Sequence, residues 1–265
     1  MPKTILIQEV YDFLCEWAPL SLAEEWDKVG LQVGGLKKKI TGVLVALDIT
    51  EAVLNEAVRQ NANLLITHHP LLYKSEATSR LARLARKKKI NILSFHTNLD
   101  STQEGLNDLL ANTLGLKHLK PLISSRDKKI KTAGLGRVGQ FKKASLKNFI
   151  LHVTKSLALQ HLRYVGDPQQ GIQKVAVMTG SGGGYFREAK KAGAHVLVTG
   201  DVKYHDALDA LAENIALIDV GHYAGEFGMV ALVAEKIRQW AHQNNVVLPV
   251  FETQVTEDPF RYWRK

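Results

Sequence analysis

The chain has 265 residues, a formal net charge of +9, 45% hydrophobic residues and 23% charged residues. These values are typical of a globular protein and exclude a disordered or fibrous chain, and the length suits two modest domains better than one large one. The apolar runs are far shorter than the ~20 residues that a membrane-spanning helix needs, which excludes an integral membrane protein of that kind.

The first half of the sequence alternates predicted strands and helices. An amphipathic helix is predicted at about 5–17, and Thr50 is a suitable N-cap for a helix over 51–60. Apolar runs predict buried strands at 42–47, 64–66 and 90–95, with helices around 79–88 and from about Ser101. This βαβαβ pattern indicates a parallel sheet with right-handed crossovers.

The second half repeats the first. A shift of 132 positions lays 175–178 on 43–46 and 194–199 on 62–67, and seven of about 26 aligned positions are identical. A shift of 126 lays His222-x-x-x-Glu226 on His96-x-x-x-Asp100. We therefore predict an α/β fold of two similar domains with mainly parallel sheets, which arose by internal duplication.

The predicted domains are residues 1–124 and 131–265. The polar, basic stretch 121–131 suits a linker between them, and a strand or hairpin around 134–139 opens the second half. A helix at about 226–243 carries apolar residues at helical spacing, which indicates a core-facing helix that can pack back on the first domain.

Three of the predicted strands are followed by imidazole and carboxylate side chains. The residues are His68, His69, His96, Asp100, His222 and Glu226. The carboxyl ends of parallel strands meet at one edge of a sheet, where open α/β proteins bind ligands. Histidine nitrogen and carboxylate oxygen are ligands of borderline divalent ions, and a carboxylate can bridge two of them around an activated water. The pattern favours a dinuclear metal centre.

Some of these residues have an alternative interpretation. An isolated His-His pair more often has one histidine capping a turn and the other exposed to solvent. His96 suits a metal ligand, a proton shuttle or a hydrogen-bond donor to a ligand, and we favour the last of these. In Gly200-Asp201-Val202-Lys203-Tyr204-His205, the segment that matches His68-His69, Lys203 and His205 are candidates for holding a phosphate or moving a proton.

The glycine run 180–184 follows a predicted strand and precedes a predicted helix. Such a run can present backbone amides to an anion at a helix N-terminus. It lacks the spacing of a dinucleotide fingerprint and the lysine of a P-loop, so a tight turn explains it equally well.

The chain resembles the Nif-three-like family, the GTP cyclohydrolase I type 2 homologues. The resemblance rests on several motifs in order along the whole chain: Trp26-Asp27-x-Val29-Gly30-Leu31-Gln32-Val33-Gly34, Thr67-His68-His69-Pro70, His96-Thr97-Asn98-Leu99-Asp100, Gly200 to His205, and Asp219-x-Gly221-His222-x-x-x-Glu226.

The resemblance implies two α/β domains per subunit in the short form, without an inserted domain. It implies a homohexameric toroid of trimers around a dinuclear centre. It assigns as metal ligands His68, His69, Asp100, His222 and Glu226, with Glu226 bridging. The mixed ligands leave zinc, manganese, iron and nickel open for the two divalent ions.

We weigh three functions. The first is a metal-dependent hydrolase of a small anionic, nucleotide-like substrate, with His96 or His205 moving protons. The second is a nucleic-acid-binding ring with a structural or regulatory metal centre, which the basic charge favours. The third is a metal-handling or regulatory partner protein. Cys15 is the only cysteine and the N-terminus shows no secretory signal, so we expect a cytoplasmic location.

Overall fold

The computed structural model describes residues 5–71, 76–127, 129–255 and 258–263. In chain order the strands of these ranges are β1 Gly30–Val33, β2 Val43–Ala46, β3 Leu64–Thr67, β4 Asn91–Ser94, β5 Lys117–Ser124, β6 Gly134–Ser145, β7 Arg163–Val165, β8 Gly171–Val177, β9 Val196–Thr199, β10 Ala216–Asp219 and β11 Val250–Glu252. The α-helices are α1 Ile7–Trp17, α2 Glu51–Arg59, α3 Glu76–Lys87, α4 Thr97–Ser101, α5 Leu106–Thr113, α6 Leu146–Ser156, α7 Phe186–Lys191, α8 Tyr204–Ala212, α9 His222–Glu226 and α10 Met229–Gln243.

The chain forms two compact units. Unit 1 comprises Met1–Leu99 together with Met229–Lys265, and unit 2 comprises Asp100–Gly228. These are not the same segments as the predicted 1–124 and 131–265. The C-terminal segment belongs to unit 1 because β11 pairs in parallel with β2, with Val250 opposite Val43. Within the described ranges, no helix combines the length and the apolar composition needed to cross a lipid bilayer.

Unit 1 contains a five-stranded sheet in the order β1-β4-β3-β2-β11. Strands β4, β3, β2 and β11 are parallel, and β1 runs antiparallel to β4. Every residue of β2, β3 and β4 is buried, as their apolar sequences predict. Thr50 caps α2 as predicted, since its hydroxyl accepts a hydrogen bond from the Val53 amide at 3.2 Å.

Unit 2 contains a six-stranded sheet in the order β5-β6-β8-β9-β10-β7. Strands β8, β9 and β10 are parallel, whereas β5, β6 and β7 pair antiparallel with their neighbours. The sheet is covered on both faces. Val175 and Val177 point into one apolar cluster, and the alternate residues Ala176 and Met178 point into another.

Part of the predicted linker is a strand. Residues 121–124 lie in β5, which pairs antiparallel with β6 at the edge of the sheet. The basic residues of the predicted linker all follow Ser124 in the sequence. Only the first four residues of the stretch therefore belong to a strand.

The two units share one strand order, which agrees with the predicted duplication. The order β1-β4-β3-β2 in unit 1 corresponds to β7-β10-β9-β8 in unit 2, with three parallel strands and an antiparallel neighbour in each. The shift of 132 positions lays β8 and β9 on β2 and β3. A helix of five residues follows both β4 and β10, namely α4 and α9. The α/β class predicted from the sequence is confirmed.

Candidate metal centre

Three histidines lie together in unit 1. His68 and His69 follow β3, and His96 follows β4, the parallel neighbour of β3. The Thr67 and Ser94 hydroxyls at the ends of these strands are 2.8 Å apart, which fixes the register of the two ends. Candidate ligand nitrogens of the three histidines all lie within 4.8 Å of one another. The structure thus groups His96 with the predicted ligands His68 and His69.

Each of these rings has its Nδ1 atom beside an oxygen. The pairs are His68 with the Phe95 carbonyl at 3.0 Å, His69 with Asp48 Oδ1 at 2.7 Å, and His96 with Asp27 Oδ2 at 3.0 Å. An oxygen at Nδ1 favours the tautomer that carries its proton there, so the Nε2 lone pair is available to a cation. This orientation is usual for metal-binding histidines.

Asp27, whose carboxylate faces His96, has a side chain that is buried and fixed by further hydrogen bonds. Its side chain is 0% exposed and accepts hydrogen bonds from the Thr97 amide at 3.0 Å and from the Thr97 hydroxyl at 2.5 Å. Burial alone raises the pKa of Asp27, but hydrogen bonds from His96 and Thr97 outweigh it, so the net pKa lies below the usual value. Asp27 is therefore a carboxylate that can stabilise positive charge on His96.

In unit 2, His222 and Glu226 occupy the two ends of α9. Their separation of four residues places them on one face, with His222 Nε2 3.0 Å from Glu226 Oε2. His222 Nδ1 lies 2.7 Å from Asp201 Oδ2. The fourth histidine therefore also has its Nδ1 atom beside an oxygen, as the other three do. The Glu226 side chain is only 3% exposed.

Asp100, the third predicted ligand of unit 2, is buried and held at both its side chain and its backbone. The Thr179 hydroxyl donates to Asp100 Oδ1 at 3.0 Å, and the Asn107 amide group donates to the Asp100 carbonyl at 3.1 Å. The Thr179 amide in turn donates to Asn107 Oδ1 at 2.9 Å. These bonds join α4, α5 and the end of β8 around one carboxylate.

Gly180 brings the end of β8 against the other two ligands of unit 2. A Cβ atom at this position would lie 2.4 Å from Glu226 Oε1 and 3.6 Å from His222 Cε1, and its φ is +62°. The preceding residue, Thr179, donates a hydrogen bond to Asp100. Two consecutive residues, Thr179 and Gly180, therefore contact Asp100 and Glu226 respectively. The Gly182 amide donates to the Thr199 hydroxyl at 3.0 Å. The glycine run therefore allows close packing against the candidate ligands, which favours the tight-turn interpretation.

His205 lies in the first turn of α8 and is exposed. Among the described residues, its one recorded interaction is a ring contact with Tyr204, at 5.5 Å between centroids. Its proposed role in proton movement stays a prediction.

Sequence reasoning missed the outer partners of the ligands: Asp27, Asp48, Asp201, Asn107 and Thr179. Two of them carried a weak signal, because Asp48 and Asp201 each stand two residues beyond a buried strand, as His69 and His96 do. Nothing in the sequence indicated which imidazole each would contact.

The residues fit a divalent metal ion. Four imidazoles with outer oxygen partners and two buried carboxylates are the donor types that zinc, manganese, iron and nickel accept in proteins. Together with the α/β fold, this donor set defines the class of the protein as an α/β protein with candidate metal-binding groups at the carboxyl ends of its strands.

Comparison with known proteins gives the family. A sequence model of the Duf34/NIF3 (NGG1p interacting factor 3) family matches residues 5–259. A relative from Clostridium acetobutylicum, named GTP cyclohydrolase 1 type 2 homolog, is 35% identical, with 98% of this chain and 99% of that protein covered. The chain belongs to the Duf34/NIF3 family, as its motifs predicted.

Solved structures agree in fold. Staphylococcus aureus hypothetical protein SA1388 matches with a TM-score of 0.92 and 30% identity, over 98% of this chain and 100% of that chain. Reduced HcgD from Methanocaldococcus jannaschii matches with a TM-score of 0.76 and 30% identity, over 96% and 100%. A relative from Staphylococcus epidermidis aligns over 364 residues, whereas this chain has 265 residues. This chain is therefore the shorter of the two.

Proposed function

We propose that the protein is a metal-dependent hydrolase of a nucleotide-like substrate. The observation that carries the proposal is the shared orientation of four histidines, each with Nδ1 beside an oxygen. Such outer partners fix ring orientation and raise the basicity of the ligand nitrogen. A histidine whose only task was to cap a turn would not need this arrangement.

In the proposed site, the residues that would hold two divalent ions are His68, His69, Asp100, His222 and Glu226. When bound, divalent ions supply Lewis-acid activation of water and stabilise the negative charge that develops during hydrolysis. The ion in question is zinc, manganese, iron or nickel, since the ligand types suit all four.

We assign proton movement to His96. Its Nδ1 atom faces the Asp27 carboxylate at 3.0 Å, so Nε2 is the nitrogen that accepts a proton and Asp27 stabilises the imidazolium that results. Trp26 packs edge-on against the same ring, at 5.8 Å between centroids, and limits its movement. His205 is the second candidate for exchanging a proton.

The names of relatives suggest the substrate class. Several curated relatives are named GTP cyclohydrolase 1 type 2 homolog. The corresponding reaction is hydrolytic opening of the purine imidazole ring. One water adds to the carbon between the two ring nitrogens and opens the ring to a formamide, and a second water releases that carbon as formate.

Turnover of GTP by metal-reconstituted protein tests the proposal. Formate and the pyrimidine product are quantified for the unchanged protein and for the variant His68→Ala/Glu226→Ala. We expect formate from the unchanged protein and a loss of at least about 100-fold in the variant, since removing essential groups of a site typically costs this much. The variant His242→Ala/Glu235→Ala changes the same residue types on the exposed side of α10 and should retain full activity.

Metal that binds stoichiometrically without any formate would contradict the cyclohydrolase reaction. Formate release that persists in His68→Ala/Glu226→Ala would contradict the assignment of the site. The first result would move the search to other phosphate ester or amide substrates, and the second would move it to another site for the same reaction.

The charge of +9 and the sequence pI near 9.5 support a second proposal, a ring that binds nucleic acid. In this second proposal the chain forms a homohexameric toroid. Light scattering should then give a mass six times the 29.4 kDa of one chain. Binding of a single-stranded oligonucleotide should weaken steeply with salt and persist in His68→Ala/His222→Ala. Binding that disappears with the metal ligands would favour the hydrolase instead.

A further inference from the structure

Unit 2 contains a pocket of about 220 Å³ that is lined in part by Asp219, the last residue of β10. Besides four apolar residues, its lining includes two cations, two aromatic rings and one carboxylate: Arg163, Lys203, Tyr164, Tyr204 and Asp219. Pockets that enclose a whole drug-sized ligand usually measure ~300–1,000 Å³. This pocket therefore suits a phosphate and one ring of a larger molecule.

The charges of the pocket are unevenly matched. Arg163 pairs with Asp219, whose other hydrogen bonds come from the Val202 amide at 3.2 Å and the Gly221 amide at 3.0 Å. Lys203 is exposed, and its ammonium makes no ion pair or hydrogen bond with any residue in the described ranges. The pocket thus offers one uncompensated positive charge to an anion.

The start of α8 adds to the preference for an anion. Lys203 is the N-cap residue of this nine-residue helix, and it provides no side-chain cap. The amides of the first turn and the helix dipole therefore favour negative charge in front of the helix. Asp206, the acidic residue of that turn, does not line the pocket.

Two tyrosines give the pocket its aromatic surface. Tyr164 is 47% exposed and Tyr204 is 73% exposed, which is unusual for side chains of this size. Neither hydroxyl makes a hydrogen bond within the described part of the chain. Exposed rings beside a cation are the combination that proteins use to stack a nucleobase while they hold its phosphate.

The pocket is connected to the candidate ligands through short stretches of chain. Asp201, which holds His222 Nδ1 at 2.7 Å, lies two residues before Lys203. Asp219 lines the pocket and fixes the backbone amide directly before His222. A molecule in the pocket therefore lies at the same sheet edge as His222.

We propose that this pocket binds a nucleoside monophosphate group, with the phosphate on Lys203 and the base against Tyr164 and Tyr204. The inference rests on the proposed function, because it names the part of a nucleotide substrate that unit 2 recognises. It does not require hydrolysis, so binding can be tested without turnover.

The test is calorimetric titration of the full chain, freed of metal with EDTA, with GMP, guanosine and inorganic phosphate. GMP should bind more tightly than either fragment. Lys203→Met should weaken GMP about tenfold, as expected for losing a charged hydrogen bond, and leave guanosine within about twofold. Tyr164→Leu/Tyr204→Leu should weaken both GMP and guanosine by about fivefold or more.

Matched controls are Lys143→Met on β6 and Tyr185→Leu, which remove an exposed lysine and an exposed tyrosine elsewhere in unit 2. Unchanged GMP affinity in Lys203→Met, or no saturable GMP binding by the parent chain up to millimolar concentration, would overturn the inference. GMP binding that requires Lys203, without turnover of GTP, would support the inference and count against the proposed reaction alone.

Discussion

The position of the candidate ligand Glu226 in unit 2 depends on the absence of a side chain at Gly180. A methyl group there would overlap the Glu226 carboxylate, and the positive φ adds backbone strain for any other residue. We expect Gly180→Ala to displace Glu226 and to lower metal affinity at least about tenfold, the loss typical of disturbed ligand orientation. The measurement is zinc content after dialysis against a competing chelator.

The neighbouring Gly184 provides the control for this prediction. A Cβ atom at Gly184 would have no heavy atom within 4 Å, and the residue belongs to the same glycine run. Gly184→Ala should bind zinc as the parent chain does. Equal loss of zinc in both variants would mean that the run matters for folding and not for the position of Glu226.

Asp27 makes a second residue-scale prediction possible. Asp27→Asn removes the charge that faces His96 and weakens the anchor of Thr97. Loss of an outer carboxylate typically costs 10- to 100-fold in metal affinity or activity. Because the proposal gives His96 a role in proton movement, we expect a decrease of about this size in turnover. Asp12→Asn, on the exposed side of α1, is the control. Affinity and turnover within twofold of the parent chain would show that His96 needs no charged partner.

The sequence identified the candidate ligands and not their supports. Imidazole and carboxylate side chains that follow buried strands can be recognised from the sequence alone, because the pattern depends only on the order of residues. Asp27 is seventy positions from Thr97, and Asp201 is twenty-one from His222. Contacts of this kind depend on which loops meet at the sheet edge, which local sequence does not specify.

At the scale of elements, a buried arginine joins β6 to the start of α5 in unit 2. Arg137 is 2% exposed and donates to both Asp108 oxygens, at 2.7 and 2.9 Å. It also donates to the carbonyls of Gly134 at 2.6 Å, Gly136 at 2.8 Å and Thr102 at 2.8 Å. Three segments of unit 2 thus share one guanidinium.

We expect Arg137→Met to lower the free energy of unfolding by about 3–5 kcal/mol, because it leaves the Asp108 carboxylate buried without its partner. The double variant Arg137→Met/Asp108→Leu should recover part of this loss, since no buried charge is then left unpaired. Urea denaturation followed by circular dichroism measures both. A double variant less stable than Arg137→Met would show that the backbone bonds of Arg137 matter more than its ion pair.

Elements with strong apolar patterns were predicted closely. The strand expected at 42–47 is Val43–Ala46 and that at 90–95 is Asn91–Ser94. The helix expected from about Ser101 is instead two short helices, α4 and α5, and the helix expected at 226–243 begins at Met229, since Glu226 is the last residue of α9. Both differences lie where a ligand-bearing helix ends, and there tertiary contacts override local helical periodicity.

For the whole molecule, metal binding should raise thermal stability. A ligand that binds only the folded state, at 100 times its Kd, contributes about 2.7 kcal/mol, which corresponds to a rise in Tm of roughly 5–11 °C for a chain of this size. Scanning calorimetry with and without zinc measures the shift. The shift should be absent in His68→Ala/Glu226→Ala, and a shift of the same size there would place the metal elsewhere.

The discontinuous course of unit 1 has a consequence for biosynthesis. Unit 2 is one continuous segment, Asp100–Gly228, whereas unit 1 needs α10 and β11, which follow it. A ribosome adds roughly 5–20 residues per second, so the middle of the chain is fully synthesised seconds before the domain that precedes it can close its sheet. The N-terminal strands therefore have to remain available, and protected from aggregation, until the last segment of the chain emerges.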